Sequence, residues 1–358
     1  MTNRRQPSIG DVAKHLGLSA MTVSRVLSGS VAVSKETRER VEAALQEMGF
    51  KKDRIASSNA RRRGKAVPVF SVVVDAIVED AAEQDAFDFY VRVVLATVRR
   101  LEAAGCHLVL SDLTRDPDAR IQAVAEADAI IFCTPVGRQV VDRVTKLNPS
   151  IVMVSAFHEA SGASQIGPDD AAGGRIAAEL AGRGGHRHVA LLTAGHSSYG
   201  TRAEAFTSRM HALQPTACID AIDYPLLHDG VHSDEEIIGA RLADYWNSGK
   251  RPSLFFAVGG FATLMLYRFL RSQGVEIPAR VGLIGFDSLP FYDHLDVPIT
   301  RIGFDVAGIG TAAAEEALRR LATADGPRRI LLPCVFTEGR SFLDVAAMNP
   351  DRSPSHAP

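Results

Sequence analysis

From Val67 onward, short apolar runs alternate with stretches of helical periodicity, a grammar that restricts this part of the chain to parallel sheet covered by helices. The clearest strand candidates read FSVVVDAIV, CHLVLSDL, AIIFC, SIVMVSAF, HVALLTAG, SLFFAVGG and VGLIGFDS. Helical patterns such as Tyr90 to Ala104 and Ala171 to Gly182 separate them. Doubly wound sheets bind ligands beyond the carboxyl ends of their strands, so the residues just after these runs are the functional candidates.

The segment from Ser8 to Phe50 obeys a different pattern. Ser8 is placed to cap a helix, with Asp11 supporting its first turn. That helix runs to about Leu16 and puts Val12, Ala13 and Leu16 on one buried face. Gly17 then supplies a tight turn before Ser19 caps a second short helix ending near Leu27, which makes a helix-turn-helix. A third helix, roughly Lys35 to Met48, turns Val41, Ala44, Leu45 and Met48 inward and stops at Gly49.

Charge divides the chain at the same place. Residues 1–65 carry fourteen Lys and Arg against six Asp and Glu, a net +8, whereas the whole 358-residue chain is −2. A basic head on an acidic body points to a polyanion held by the head alone, through salt-dependent phosphate contacts. Length and a 46% hydrophobic content supply more than one core. No apolar run approaches the roughly 20 residues of a membrane span, and MTNRRQPSIGD lacks the apolar stretch of a signal peptide, so a cytoplasmic protein without a membrane partner is expected. Cys106, Cys133, Cys218 and Cys334 show no C-x-x-C spacing, which suggests neither a zinc site nor a disulfide framework; all four are expected reduced and largely buried. The polar, proline-rich NPDRSPSHAP suits a disordered tail.

DVAKHLGLSAMTVSRVLSGS and the VSKETRERVEAALQEMGF that follows it resemble, at nearly every position, the headpiece of the LacI (lactose repressor) family of bacterial transcription regulators. The body resembles the same family, and through it the periplasmic sugar-binding proteins. The matching residues are GHRHVALL at Gly185 to Leu192, the Arg202 to Phe206 spacing, VGLIGFD ending on Asp287, and DDAAGG at Asp169 to Gly174. The resemblance implies an all-α helix-turn-helix headpiece followed by an α/β periplasmic-binding-protein-like core of two doubly wound subdomains, between which the chain crosses three times. The layout expected from it is a headpiece at 1–52, a hinge at 53–65, a core at 66–346 and a tail at 347–358. Within the core, subdomain one takes about 66–165 and 300–328, and subdomain two about 166–299 and 329–346.

Function follows from the same resemblance. It implies a repressor whose homodimer binds a near-palindromic operator in double-stranded DNA and is controlled by a small-molecule effector, a sugar or a derivative such as a sugar acid, in the interdomain cleft. AAMNPDRSPSHAP excludes the C-terminal leucine heptad helix of the lactose repressor, so a dimer is expected rather than a tetramer. An effector-independent DNA-binding regulator is one alternative. A free solute-binding module is another, against which the basic head argues.

In the family the second helix enters the major groove, and the base-reading positions fall here on Ala20, Met21 and Arg25. Arg25 can pair bidentately with a guanine, while Ala20 and Met21 offer only apolar contact, for instance to a thymine methyl. Ser19, Thr22, Ser24, Ser34 and Thr37 suit phosphate hydrogen bonds, although Ser19 serves equally well as a plain helix cap. The family's hinge then pushes a leucine wedge into the minor groove. Here that position is Asn59, the family's proline-asparagine pair is Lys52-Asp53, and its usual arginine is Ser57. Asn59 can hydrogen-bond in the groove but cannot unstack a base step, so weaker bending is expected, with Arg61 to Arg63 and Lys65 helping through phosphates.

Arg202 and Asp287 keep the family's pattern for binding neighbouring hydroxyls. Ser155 stands where an aspartate is common, and Gly259-Gly260 replaces an asparagine-aspartate pair. Three readings stay open for the cleft. It binds a ligand with an anionic group for Arg202; it binds a sugar through other groups such as Ser198, His196, Asp85 or Tyr90; or it binds nothing. Arg202 and Asp287 also fit a purely structural pair of interdomain or capping contacts. Phe87, Phe89 and Tyr90 lie near the family's aromatic pair at the cleft mouth, and Trp246 reads as packing. No G-x-S-x-G, P-loop, H-E-x-x-H or G-x-G-x-x-G is present, the eleven histidines do not cluster at ligand spacing, and Asp169-Asp170 reads as a helix cap. No catalytic residue, metal or cofactor is expected.

Overall fold

The computed structural model describes residues 9–19, 22–23, 26, 35–47, 67–74, 84–113, 117–134, 136–155, 162–194, 197–225, 234–323 and 325–345. These fall into an N-terminal unit and a core.

In the N-terminal unit, α1 (Ile9–Leu16) and α2 (Lys35–Glu47) are joined by a short turn and a further helical stretch. Val12, Ala13, Val23, Val26, Val41 and Ala44 form its core, with Leu16 and Leu18 packed against it. Gly17 ends α1 at φ +65°, a conformation that a Cβ disfavours, and the Leu18 amide reaches back to the Ala13 carbonyl at 2.9 Å. Ser8, Met48, the hinge at 53–65, the tail at 347–358 and the side chains of Asp11 and Leu45 lie outside the described residues.

The core contains β1 (Val69–Val73), α3 (Gln84–Ala103), β2 (His107–Ser111), α4 (Pro117–Ala125), β3 (Ala129–Phe132), α5 (Arg138–Leu147), β4 (Ile151–Val154) and β5 (Ser164–Pro168). It continues with α6 (Asp170–Arg183), β6 (His188–Ala194), α7 (Ser197–Leu213), β7 (Cys218–Tyr224), α8 (Asp234–Asn247), β8 (Leu254–Ala257), α9 (Gly260–Ser272) and β9 (Gly282–Phe286). The last elements are β10 (Thr300–Phe304), α10 (Val306–Ala322), β11 (Arg329–Leu332) and β12 (Cys334–Thr337). They build two six-stranded sheets of order β11-β5-β4-β3-β1-β2 and β12-β10-β9-β8-β6-β7. The central strands β3, β4, β8 and β9 are buried at every residue. Parallel strands covered by helices on both faces must be apolar throughout, which is why AIIF, IVMV and LFFA carry no polar alternation. Only β12, a short strand paired with β10, runs antiparallel among the described pairings.

The chain crosses between the sheets after β5, after β10 and between β11 and β12. These points correct the expected subdomain limits. Thr300 pairs with Ile284 of β9, so β10 belongs to the second sheet, and Arg329 pairs with Gln165 of β5, so β11 belongs to the first. A short apolar run announces a strand but not the sheet that will hydrogen-bond to it.

The two crossover helices start alike. Asp169 caps α6 by accepting from the Ala172 amide at 2.8 Å, and Asp305 caps α10 by accepting from the Gly308 amide at 2.9 Å. Five residues beyond each cap comes a glycine. A Cβ on Gly174 would lie 2.3 Å from the Arg202 carbonyl oxygen in α7, and one on Gly310 would lie 2.3 Å from the Val93 carbonyl oxygen in α3. Each sheet therefore receives its crossover helix through the same close backbone approach.

Cys133 and Cys334 are buried, and burial pushes both thiols up to about 12. Cys106 is half-buried, but Cys218 is exposed, contrary to expectation, because it opens an edge strand. Among the described residues no helix is long and apolar enough to cross a membrane.

Candidate functional site

The carboxyl ends of β8, β9 and β10 converge on one arginine. Arg202, on α7, is 4% exposed. Its Nε donates to Asp170 Oδ1 at 2.8 Å, and its Nη1 donates to the Val258 carbonyl at 2.7 Å and to Asp287 Oδ1 at 3.4 Å. The guanidinium also lies over the Phe286 ring, 3.8 Å from its centroid. Burial works against its charge, yet Asp287 and Asp170 hold it more firmly protonated than a free arginine.

Asp287 adopts φ +67°, which directs its carboxylate back into the fold. Its Oδ2 accepts the Gly260 amide at 2.9 Å, the first turn of α9. Burial pushes this carboxyl above its ordinary range, against the pull of Arg202 and that amide. Tyr292 completes the layer by donating its hydroxyl to the Gly260 carbonyl at 2.8 Å. At Gly259 a Cβ would lie 2.7 Å from the Tyr199 phenol, so Tyr199 occupies the volume that a side chain at 259 would need.

Aromatic rings carry this layer across to the first subdomain. Phe286 faces Phe304 at 6.3 Å between centroids, Phe304 meets Phe89 of α3 edge-on at 6.0 Å, and Phe89 meets Tyr90 at 5.0 Å. Phe304 ends the strand before one crossover, so this contact joins the subdomains where the chain passes between them.

Of the expected cleft residues, Arg202 and Asp287 are brought into direct contact, Ser198 is buried at the start of α7, and Tyr90 is half-buried beside Phe89. Ser155 follows β4 at φ +53°, and among the described residues its buried hydroxyl has no hydrogen-bond partner. His196 and the side chains of Phe87 and Asp85 lie outside the described residues. Trp246 packs edge-on against Phe269 under the Arg251 guanidinium, away from this layer. Asp170, Tyr199, Phe286 and Phe304 were not anticipated. The DD pair was the one available signal: Asp169 is indeed the cap, but Asp170 turns inward to Arg202.

In the N-terminal unit, Ser19 accepts the Thr22 amide at 3.0 Å and shares a 2.8 Å hydroxyl contact with Thr22, the geometry of a helix cap. Thr37 is half-buried on α2. Ala20, Met21, Ser24, Arg25, Ser34 and Asn59 lie outside the described residues.

Two family models match the chain: "Bacterial regulatory proteins, lacI family" over residues 8–53 and "Periplasmic binding protein-like domain" over residues 177–342. The chain carries a lacI-family helix-turn-helix domain followed by a periplasmic-binding-protein-like domain. Relatives include the HTH-type transcriptional repressor PurR of Vibrio atlanticus, 24% identical over 90% of this chain and 94% of that one. The sucrose operon repressor of Escherichia coli is 26% identical over 91% of this chain and 97% of that one. The fold is shared with a lac repressor dimer bound to operator and an anti-inducer (TM-score 0.61, 20% identity, 95% of this chain and 100% of that one). It is shared too with a CelR–cellobiose complex (TM-score 0.62, 21% identity, 94% and 99%). As in its family, the helix-turn-helix is the DNA-binding part, and the protein is a DNA-binding regulator of transcription.

Proposed function

We propose that this LacI-family protein is a repressor that binds operator DNA as a homodimer and is controlled by a sugar or sugar derivative at the interface of its two subdomains. The contact of Phe89 with Phe304 carries the reading. It is continuous with the Arg202 layer at the strand ends, so a ligand that prefers one separation of Phe89 and Phe304 would shift the angle between subdomains. The names of relatives support the ligand class, since one is a sucrose operon repressor and a structural neighbour is a cellobiose complex. Exposed Val91 and Leu95 on α3 and Val109 and Leu110 on β2 give the first subdomain apolar surface of the kind that a second copy covers. Arg25, Ala20 and Met21 read bases, while Thr22, Ser24, Ser34 and Thr37 hold phosphates and Asn59 meets the minor groove. The carboxylates of buried Asp170 and half-buried Asp287 are engaged with Arg202 rather than free to move a substrate proton, which supports a regulator without catalysis.

A second reading, an effector-independent regulator, is favoured by Tyr199 filling the volume at Gly259 and by the engaged Arg202. The deciding experiment first selects an operator from a random palindromic library. It then measures operator affinity and thermal stability against sugars, sugar acids and sugar phosphates. One compound raising the melting temperature in proportion to the logarithm of its concentration, and changing operator affinity, supports effector control. Silence across the panel with operator binding intact decides for the second reading.

A further inference from the structure

At the opposite end of the second sheet from Arg202, three metal-ligating side chains meet that no sequence spacing connects. His188 and Cys218, the first residues of β6 and β7, are direct cross-strand partners, and Asp220 follows Cys218 by two on the same face. The ligating atoms of all three lie within 4.8 Å of one another, and His188 Nε2 is 2.7 Å from Asp220 Oδ2. A tetrahedral zinc ion with one sulfur, one nitrogen and one oxygen ligand holds these atoms about 3.3–3.6 Å apart, a difference that rotation of the exposed Cys218 and the half-buried His188 side chains closes.

We propose that His188, Cys218 and Asp220 form a site for a borderline-soft divalent transition ion, zinc or cobalt in class, that clips β6 to β7. The donor set selects the ion. A thiolate and an imidazole favour zinc, cobalt or nickel over magnesium or calcium, which take oxygen ligands. Binding releases the Cys218 thiol proton and the proton that Nε2 shares with Asp220. The carboxylate is already held in place by hydrogen bonds with His188, Lys250 and Tyr245. Lys250 donates to Oδ1 at 2.7 Å and the Tyr245 hydroxyl to Oδ2 at 2.9 Å. Lys250 thus orients the carboxylate through the oxygen the ion does not take, and it also repels the ion. Cys218 is exposed on the edge strand β7, so solvent water would supply a fourth ligand.

The test uses the full-length protein without an affinity tag, titrated with Co²⁺ and then Zn²⁺. The expected result is a saturable, one-to-one, near-ultraviolet thiolate-to-cobalt absorption band that zinc displaces, with a rise in melting temperature that a chelator reverses. Cys218→Ser, a change at an exposed position, should abolish the band and weaken zinc binding by at least about tenfold. Lys250→Ala should tighten binding, an effect that a merely structural salt bridge would not give. Absence of a saturable band, or equal zinc affinity in wild type, Cys218→Ser and His188→Ala, overturns the proposal.

Discussion

Tyr199 stands in the volume that Gly259 leaves vacant: a Cβ at 259 would lie 2.7 Å from its phenolic oxygen. The two positions are therefore a coupled pair, and the loss of an amide side chain at 259 is answered by an aromatic one from α7. Gly259→Asn alone should lower stability by about 1–3 kcal/mol, because Tyr199 must be displaced from a packed layer. In a Tyr199→Ala background the same change should be milder, with a coupling of about 0.5–3 kcal/mol in a urea-unfolding double-mutant cycle. Strictly additive effects would show that the rings and the glycine do not compete for one space.

Arg202 stabilises two carboxylates at once. Arg202→Ala leaves buried Asp170 and half-buried Asp287 without their counter-charge, and it should cost roughly 3–5 kcal/mol in denaturant unfolding. Any loss of effector response in that variant has to be read against its loss of fold. Arg202→Lys, which keeps charge but loses the fork between Asp170 and Val258, should fall between.

Gly174 and Gly310 make equivalent helix contacts in the two subdomains. Gly174→Ala and Gly310→Ala should each destabilise by about 1–3 kcal/mol, since each Cβ meets a carbonyl oxygen that cannot rotate away. The intrinsic helix preference of alanine acts in the other direction, so a net gain in stability in either variant would contradict the close approach.

His186 is fully buried, with Nε2 donating to the Leu343 carbonyl at 2.6 Å and Nδ1 at 2.8 Å from the Ser253 hydroxyl. Burial holds its pKa below the ordinary histidine value, against the Leu343 carbonyl and Asp344. Above about pH 6.5 the ring is neutral in both folded and unfolded chains and pH has no effect through it. As pH falls below that value the unfolded chain takes up the proton first, so stability drops with acidification. The melting temperature should fall between pH 7 and pH 5, and His186→Gln should flatten that part of the curve.

Arg25 is the only charged side chain among the expected base readers. Arg25→Ala should weaken operator binding by about 1–3 kcal/mol and relax the preference at one base pair. A binding assay over single-base operator variants that finds selectivity unchanged would remove it from the reading set.

Much of this architecture was legible along the chain. The apolar runs gave strands because parallel strands covered on both faces tolerate little else, and apolar spacing and the glycine signal placed α1 and its turn at Gly17. Charge and the TVSRVL motif identified the DNA-binding end without any tertiary information. Arg202 and Asp287 were legible as a pair through the resemblance to the family's cleft pattern, and the structure brings them into contact.

What the linear order could not supply was which distant groups meet. Pairing decided that β10 joins the second sheet and β11 the first, since backbone hydrogen bonds are indifferent to side-chain identity in short apolar strands. The inward turn of Asp170, the filling of Gly259 by Tyr199 and the convergence of His188, Cys218 and Asp220 all depend on contacts between elements far apart in sequence. The sequence by itself determined the class of protein and its DNA-binding end, through local propensity, periodicity and charge. Only the tertiary structure decided how the layer around Arg202 is wired, because burial and hydrogen-bond saturation belong to the packed whole.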